Sequence, residues 1–310
     1  MAEINTFAWK EREKAWFRNY RETKGTTRSD INPYPEIFHT RDNVYSLFVL
    51  CTHNKGDTWM HLVVGPEKAL LIDSGFGLGD LKGLCEHLAG GKPVIVANTH
   101  NHGDHAGGNS QWDEAYCHEY EVPMMEYQQY PEYWDEFNHV GEPVAKDNYK
   151  REDVIPFRKY KVIGVPNHYK FDLGQGYEIE LIHVPGHTPG GAVYLDRQNR
   201  ILFSGDALMP ITHTYGAAIK PYYQHTEYSS ITAWRNGLVE LSKYADDFDR
   251  IYAGHGGLEF DKVLLTDLID ACNEIIADPN SNESFREING SKQKFKIHGT
   301  ANIVYCDERI

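Results

Sequence analysis

The sequence predicts an α/β fold, and three observations support this class. Short apolar runs such as Pro93–Ala97 and Ile201–Phe203 have the length and composition of buried strands. The segments Ser229–Tyr244 and Asp261–Asp278 carry apolar residues at three- and four-residue spacing, which is typical of helices. Several strand-like runs end at a glycine followed by a histidine or an aspartate. This repeated arrangement indicates an enzyme that gathers polar ligands at one edge of its sheets.

The N-terminal part of the chain predicts a helix and then a series of strands. Ala8–Glu22 carries a stripe of aromatic residues and ends near Gly25, so we expect a helix there. Three successive strands are expected over Val44–Thr52, Trp59–Gly65 and Ala69–Asp73. A short helix is expected over Leu78–Leu88. The glycine-rich segment before it, Gly75–Gly79, has the spacing of a tight turn rather than of a nucleotide-binding loop.

The rest of the chain predicts one strand, a long irregular segment and two helices. The strand covers Ala115–His118, and the irregular segment extends to about Asp172. Ser229 or Ser230 and then Asp261 are placed as helix N-caps, and Pro279 ends the second helix. No internal repeat divides the sequence. We therefore predict one catalytic domain over 1–310, with an N-terminal extension at 1–43, an insertion at 119–172 and a C-terminal tail at 279–310.

A dense group of metal-ligand side chains follows the strand predicted at Pro93–Ala97. His100, His102, Asp104 and His105 place three imidazoles and a carboxylate within six consecutive positions. Imidazole and carboxylate groups are ligands of divalent ions such as Zn²⁺, and four titratable groups so close together are unfavourable unless something binds them. Further ligands are expected at the ends of later apolar segments, and these candidates are His187, Asp206 and His255.

These motifs, taken in their order, resemble those of the metallo-β-lactamase superfamily. T-H-x-H-x-D-H at 99–105 is followed by P-G-H-T, S-G-D and G-H-G, and L-L-I-D-S-G precedes it at 70–75. The resemblance covers roughly Val44 to His255. It implies a four-layer αββα sandwich with a two-metal site at one edge of the sheets.

The resemblance also implies a role for each candidate ligand. By this similarity the first metal is held by His100, His102 and His187, the second by Asp104, His105 and His255, and Asp206 bridges both. Asp73 then supports the ligand loop without binding metal. We expect two divalent ions, with zinc as the first choice and iron or manganese as alternatives.

Composition limits the partners of the protein. A net charge of −14 and a pI near 5.6 argue against nucleic acid as the substrate. The sequence has no run of 18 apolar residues and no visible signal peptide, and its five cysteines are scattered, so we expect a cytoplasmic protein without a membrane partner. The expected partner is a small, partly apolar molecule, and a homo-oligomer is left open.

The chemistry expected of two metals is hydrolysis by a metal-bridging hydroxide. Asp206 stands where the commonest β-lactamases have cysteine, and Met209 stands where acyl-homoserine lactonases have a catalytic tyrosine. The prediction is therefore a hydrolase of a carboxylic ester, lactone or thioester. Three alternatives stay open: a phosphodiesterase or other phosphoryl hydrolase, a mononuclear iron oxygenase similar to persulfide dioxygenases, and a non-catalytic metal-binding module.

Two segments are expected to contact the substrate. The insertion is rich in aromatic residues, namely Tyr127, Tyr130, Tyr133, Trp134, Phe137, Tyr149, Phe157, Tyr160 and Tyr169. Such a cluster could either line an apolar pocket or simply pack the insertion onto the body. The loop Met209–Gln224 leaves directly from Asp206 and carries His213 and Tyr215. We expect Asp104, His213 and Tyr215 to take part in catalysis, the latter two by helping the leaving group depart.

Overall fold

The first large sheet carries the candidate ligand loop. The structure, a computed structural model, describes residues 6–50, 57–137, 149–213, 224–288 and 291–310. The strands of this sheet lie in chain order, β1 Glu36–Arg41, β2 Val44–Leu50, β3 Asp57–Val64, β4 Ala69–Ile72, β5 Val94–Ala97, β6 Glu114–His118 and β7 Lys161–Val165. The pairs β1 to β4 are antiparallel, whereas β4 to β7 are parallel. The carboxyl end of β5 therefore opens at the edge where the parallel strands end.

The second large sheet packs face to face against the first. Its strands are β8 Lys170–Asp172, β9 Glu178–His183, β10 Ala192–Asp196, β11 Ile201–Gly205, β13 Arg250–Ala253 and β14 Phe260–Asp261, in the order β14-β13-β11-β10-β9-β8. Large side chains from both sheets fill the space between them, among them Phe38, Trp59, Tyr194, Phe203 and Tyr252, all without solvent exposure. Burial of this much apolar surface is the main force that holds the two sheets together.

Helices cover the outer faces of both sheets. On the first sheet lies α2, Leu81–Leu88, and on the second lie α6, Ile231–Ser242, and α7, Val263–Ala277. In α6 the buried residues Ile231, Trp234, Leu238 and Leu241 recur at three- and four-residue spacing, so one face enters the core. The predicted αββα sandwich is confirmed.

The remaining elements surround this sandwich. Helix α1, Thr6–Lys24, sends Phe17 into the core between the sheets. A third sheet, of order β12-β17-β16-β15, consists of β12 Ile211–His213, β15 Ser284–Ile288, β16 Ser291–His298 and β17 Ala301–Tyr305. The described part of the chain also contains three short helices, α3 Gly103–Ala106, α4 Val122–Tyr127 and α5 Tyr133–Phe137. Within the described ranges, no helix is long and apolar enough to cross a membrane.

Several sequence-based predictions are corrected by the structure. The segment predicted to be irregular contains α4, α5, β7 and β8, which are too short to show a clear period. Strand β1 has no predicted counterpart, because its burial does not alternate along the chain. The N-cap of α6 is Ser230, whose side chain accepts a hydrogen bond from Ala233 N. The N-cap of α7 is Lys262, whereas the predicted Asp261 accepts a hydrogen bond from Val263 N.

Two further predictions concern the glycine-rich turn and the cysteines. Gly75, Gly77 and Gly79 all have positive φ angles, of 60°, 70° and 65°, as the tight-turn interpretation requires. The four described cysteines, Cys85, Cys117, Cys272 and Cys306, are buried free thiols, and Cys51 lies outside the described residues. The organisation of 1–310 as one catalytic domain stays a prediction.

Candidate metal centre

The first four candidate ligands lie on the loop and short helix that follow β5. His100 comes three residues after the strand, and His102 is the N-cap residue of α3. Asp104 and His105 lie in the first turn of that helix. His100 and His105 are buried, whereas His102 and Asp104 are partly exposed. The loop thus presents one closed side to the core and one open side to solvent.

The other three candidates come from the second sheet, each just after a strand. His187 follows β9 through the Pro185–Gly186 turn, Asp206 directly follows β11, and His255 follows β13 by one glycine. Strands β11 and β13 are parallel neighbours, so Asp206 and His255 leave the sheet side by side. The centre therefore lies at one edge of the sandwich and takes ligand candidates from both sheets.

His100, His102, His187 and Asp206 form one compact group of donor atoms. His102 Nδ1 lies 3.0 Å from His100 Nε2 and 3.1 Å from His187 Nε2. His187 Nε2 also lies 3.3 Å from Oδ2 of Asp206. Three imidazoles therefore direct one ring nitrogen each toward a common point beside the carboxylate.

Asp104, His105 and His255 form the second group. The Nε2 atoms of His105 and His255 are 3.1 Å apart, and Asp104 Oδ2 lies 3.4 Å from His255 Nε2. Oδ1 of Asp206 lies 3.2 Å from both imidazole Nε2 atoms. Because Oδ2 of the same carboxylate faces the other group, Asp206 stands between the two.

The donor atoms have the spacing that divalent metals require. Nitrogen ligands about 2.0–2.1 Å from a tetrahedral zinc ion are separated from one another by about 3.3–3.4 Å, close to the contacts of 3.0–3.3 Å in the first group. Oδ1 of Asp206 is buried, and among the described residues the two imidazole nitrogens 3.2 Å from it are not aligned to donate a hydrogen bond to it. A buried carboxylate oxygen without a donor is unfavourable, and a cation would stabilise it. The residues present therefore fit two divalent ions.

The electrostatics of the two groups differ. Burial and the neighbouring histidines lower the pKa of His100 well below its ordinary value, and burial lowers the pKa of His102 to about 3. These imidazoles are neutral at pH 7 and offer lone pairs. Burial also disfavours charge on His105, but the carboxylates of Asp206, Asp73 and Asp104 outweigh it and raise its pKa to about 10. The carboxylates around the second group thus favour a positive charge there, whereas the first group offers neutral imidazoles.

Hydrogen bonds fix the orientation of the ring of His105. Its Nδ1 lies 2.8 Å from Oδ2 of Asp73, which also accepts a hydrogen bond from Thr99 Oγ1. The other oxygen of Asp73 accepts from the backbone N–H of Thr99 at 2.7 Å. With Nδ1 bound in this way, Nε2 is left for a metal. Asp73 therefore has the supporting position that the resemblance implies.

His255 is oriented by a residue that the sequence did not single out. Its Nδ1 contacts the backbone carbonyl of Asp57, and the Asp57 side chain accepts a hydrogen bond from Gly256 N at 2.9 Å. Asp57 begins β3, nearly 200 positions earlier in the chain. No local motif marks this residue, because its partner comes from the other sheet.

Glu121 is a second residue that sequence reasoning missed. Its side chain has no solvent exposure and connects the two ligand segments. Oε2 accepts hydrogen bonds from the backbone and side-chain nitrogens of Asn101, which lies between His100 and His102. Oε1 accepts from Thr188 Oγ1 at 2.6 Å and from Gly190 N at 2.7 Å, just after His187. Burial raises the pKa of Glu121, whereas these four donors lower it.

Replacing Glu121 with glutamine is expected to weaken the first group of ligands. An amide nitrogen would face donors at one end of the side chain, so one ligand segment would lose its anchor. We expect metal affinity or activity to fall about 10–100-fold, the usual effect of losing such a supporting partner. Metal titration followed by fluorescence or calorimetry measures this, with Glu119→Gln, an exposed neighbour, as the control. Unchanged metal affinity in Glu121→Gln would contradict the anchoring role.

The aromatic residues of the insertion separate into two sets. Tyr130, Tyr133, Trp134, Phe137, Phe157 and Tyr160 line one cavity beside α3. Tyr169 packs on Tyr116 and Phe171, Tyr149 on Trp134, and Tyr127 is 52% exposed. The pocket interpretation therefore applies to the first set and the packing interpretation to Tyr149 and Tyr169, whereas Tyr127 is largely exposed.

The two other candidate catalytic residues lie at the limit of the described chain. The backbone of His213 ends β12 and pairs with Val304 in the third sheet. Tyr215 lies outside the described residues. The side chain of Asp104 is about one-fifth exposed at the open side of the second group. Of the three, Asp104 is the one whose side chain is described, and it lies at the centre.

Comparison with known families and relatives supports the motif assignment. The family model described as the metallo-beta-lactamase superfamily matches residues 53–280, which is most of the chain. Acyl-coenzyme A thioesterase MBLAC2 from Gallus gallus is 28% identical over 168 residues, covering 50% of this chain and 58% of that protein. The human protein of the same name is 26% identical over 206 residues, covering 61% and 68%. The match thus spans about three-fifths to two-thirds of these relatives.

Solved structures share the fold. A metallo-beta-lactamase from Pontibacter korlensis superposes with a TM-score of 0.53 at 18% identity, covering 77% of this chain and 99% of that one. At this identity the likeness concerns the fold alone. The part of the chain outside this likeness amounts to almost a quarter of its length.

Proposed function

The chain belongs to the metallo-beta-lactamase superfamily, and we propose that it is an enzyme, a dinuclear metal-dependent hydrolase that cleaves acyl thioesters. The observation that carries this proposal is the position of Asp206, whose two carboxylate oxygens face two separate groups of ligand-type side chains. Zinc is the metal we propose, on the ligand chemistry of five imidazoles and two carboxylates.

Each candidate residue would have a defined role at the centre. His100, His102 and His187 would hold one ion, and Asp104, His105 and His255 the other, with Asp206 shared. When bound, two such ions lower the pKa of a shared water to roughly 7 and polarise a carbonyl oxygen. Both groups consist of histidine and aspartate alone, so neither contains a serine or cysteine nucleophile. Asp104, the partly exposed carboxylate, is the residue we propose to orient the attacking water and accept its proton.

The thioester class is favoured by two independent considerations. The relatives from chicken and human carry the name of acyl-coenzyme A thioesterases. The presence of Asp206 in place of the cysteine of the commonest β-lactamases agrees with a different substrate bond. The location in the cytoplasm belongs to the same proposal, because four described cysteines are free thiols.

An activity panel tests the proposal. The purified zinc-loaded protein is offered an acyl-coenzyme A, an S-acyl-glutathione, an aryl ester, a lactone, a phosphodiester and a β-lactam, and kcat/KM is measured for each. We expect a thioester to have the highest kcat/KM. Hydrolysis in ¹⁸O-labelled water is expected to place one label in the product carboxylate.

His213 and Tyr215 are the candidates for the general acid. If one of them has this role, His213→Ala or Tyr215→Phe is expected to lower kcat by about 10²–10⁴-fold without loss of metal.

Two outcomes of the panel would overturn the proposal in different ways. Phosphodiester cleavage without acyl hydrolysis would contradict the proposed substrate class but not the proposed metal ligands. Oxygen uptake by a protein with one iron per chain would show that the reaction is an oxygenation and not a hydrolysis, and that the centre holds one metal and not two. A protein that binds two ions but turns over no substrate of the panel would favour a binding module.

A further inference from the structure

A cavity of about 240 Å³ lies between the insertion and the ligand helix α3. Its walls are largely aromatic and aliphatic, with Trp134, Phe137, Ile155, Phe157 and Tyr160 among the lining residues. Trp134 is fixed by a hydrogen bond from its indole Nε1 to the backbone carbonyl of Phe76 at 2.7 Å. A rigid apolar cavity of this kind is suited to an apolar ligand group.

The cavity shares a wall with the candidate metal centre. Gly103, Ala106 and Gly107 line it from one face of α3, whereas Asp104 and His105 point to the metal groups from the other face. Gly103 lies between His102 and Asp104, the two partly exposed ligand candidates on the segment that follows β5. The ring of Phe137 packs so closely on Gly103 that a Cβ there would lie 2.7 Å from it. One backbone segment therefore separates the cavity from the solvent-facing side of the centre.

The cationic residue that lines the cavity is already paired, which disfavours an anionic ligand group as the occupant. Arg151 is the cationic residue of the lining, and its guanidinium lies 3.0 Å from the carboxylate of Asp135. The same guanidinium stacks over Trp134 and its side chain is 59% exposed. Its charge is thus already balanced at the rim. The interior offers mainly apolar contact, with Ser110, Gln128 and Gln129 among its polar lining residues.

We propose that this cavity binds the hydrocarbon chain of the acyl group, which would bend around the single turn of α3 between cavity and centre so that the thioester carbonyl lies at the metal centre. This inference rests on the proposed function and specifies its substrate as a medium-chain acyl thioester. A cavity of about 240 Å³ holds on the order of ten methylene groups, the length of a medium chain. Each buried methylene contributes enough transfer free energy to raise kcat/KM about fourfold until the cavity is full.

A chain-length series on the zinc-loaded protein tests this assignment. Straight-chain acyl-coenzyme A substrates from acetyl to palmitoyl are compared in the wild type, in Ile155→Trp, which fills the cavity, and in Ile31→Trp. Ile155 and Ile31 are 39% and 40% exposed, and Ile31 is not among the cavity residues, so it is a matched control. We expect Ile155→Trp to lower kcat/KM at least 10-fold for decanoyl and longer chains and to leave acetyl within twofold.

Binding of a non-hydrolysable probe separates this inference from the proposed function. The Kd of S-decyl-coenzyme A, a thioether, is measured by calorimetry with S-ethyl-coenzyme A as the short analogue. We expect tight binding of the decyl compound that Ile155→Trp weakens and Ile31→Trp does not. Equal affinities in the two variants, or a chain-length profile that Ile155→Trp does not alter, would overturn the cavity assignment. If S-decyl binding depends on Ile155 but no thioester is cleaved, the proposed function fails and the apolar site remains.

Discussion

Replacing Asp206 with alanine is expected to remove metal from both groups and to slow hydrolysis strongly. Oδ2 of Asp206 lies 3.3 Å from His187 Nε2, and Oδ1 lies 3.2 Å from the Nε2 atoms of His105 and His255. Without this carboxylate, two cations at these positions would repel each other with no negative charge between them. Loss of several kcal/mol of charge stabilisation corresponds to a fall of about 10³–10⁴-fold in rate.

Metal content per chain, measured by plasma mass spectrometry after dialysis, checks this expectation. The matched comparison is His255→Ala, which removes a ligand of the second group alone and is expected to leave about one ion bound. His187→Ala is the corresponding variant for the first group. If Asp206→Ala retained two ions per chain, the carboxylate of Asp206 would not be needed for metal binding, and the prediction would be wrong. Circular dichroism of the metal-free variants controls for loss of the fold.

The ligand candidates could be read from the sequence because each of them sits in a short local pattern. His100, His102, Asp104 and His105 are contiguous on one loop, and the structure brings them together as the spacing suggested. His187, Asp206 and His255 each follow a recognisable strand, and the edge at which strands end is shared. Buried strands of four to six apolar residues and amphipathic helices such as α6 have strong periodic signals.

The parts that escaped prediction depend on contacts between distant segments. Glu121 connects Asn101 with Gly190, and neither partner carries a sequence signal for such a contact. The backbone carbonyl of Asp57 contacts His255 across the interface of the two sheets. The helices of the insertion are five and six residues long, too short for a hydrophobic period to distinguish them from irregular chain. Tertiary contacts, rather than local preference, define these elements.

Replacing Gly254 with alanine is expected to disrupt the second group of ligands, although glycine itself binds nothing. A Cβ at this position would lie 2.6 Å from Oδ1 of Asp206 and 2.7 Å from Cε1 of His105. The backbone of Gly254 cannot withdraw, because its N–H donates to Gly205 O and its carbonyl accepts from Trp59 N, each at 2.8 Å. His105 is in turn held by Asp73 at 2.8 Å. The added methyl group must therefore displace a ligand side chain.

The expected result of Gly254→Ala is a loss of at least about 10²-fold in kcat/KM together with weaker binding of the second ion, since ligands displaced by even 1 Å lose that much rate. Overpacking should also lower the free energy of unfolding of the metal-free protein by about 1–3 kcal/mol. Gly257→Ala is the control, because its Cβ would meet the end of the Phe260 side chain at 3.0 Å and Trp16 at 3.6 Å, neither of which is a ligand candidate. Wild-type metal affinity and rate in Gly254→Ala would mean that Asp206 and His105 do not need to lie as close to β13 as they do here. A loss of stability without a loss of metal would indicate an effect on packing alone. A loss of both would identify Gly254 as the residue that lets the backbone after β13 lie close to Asp206 and His105.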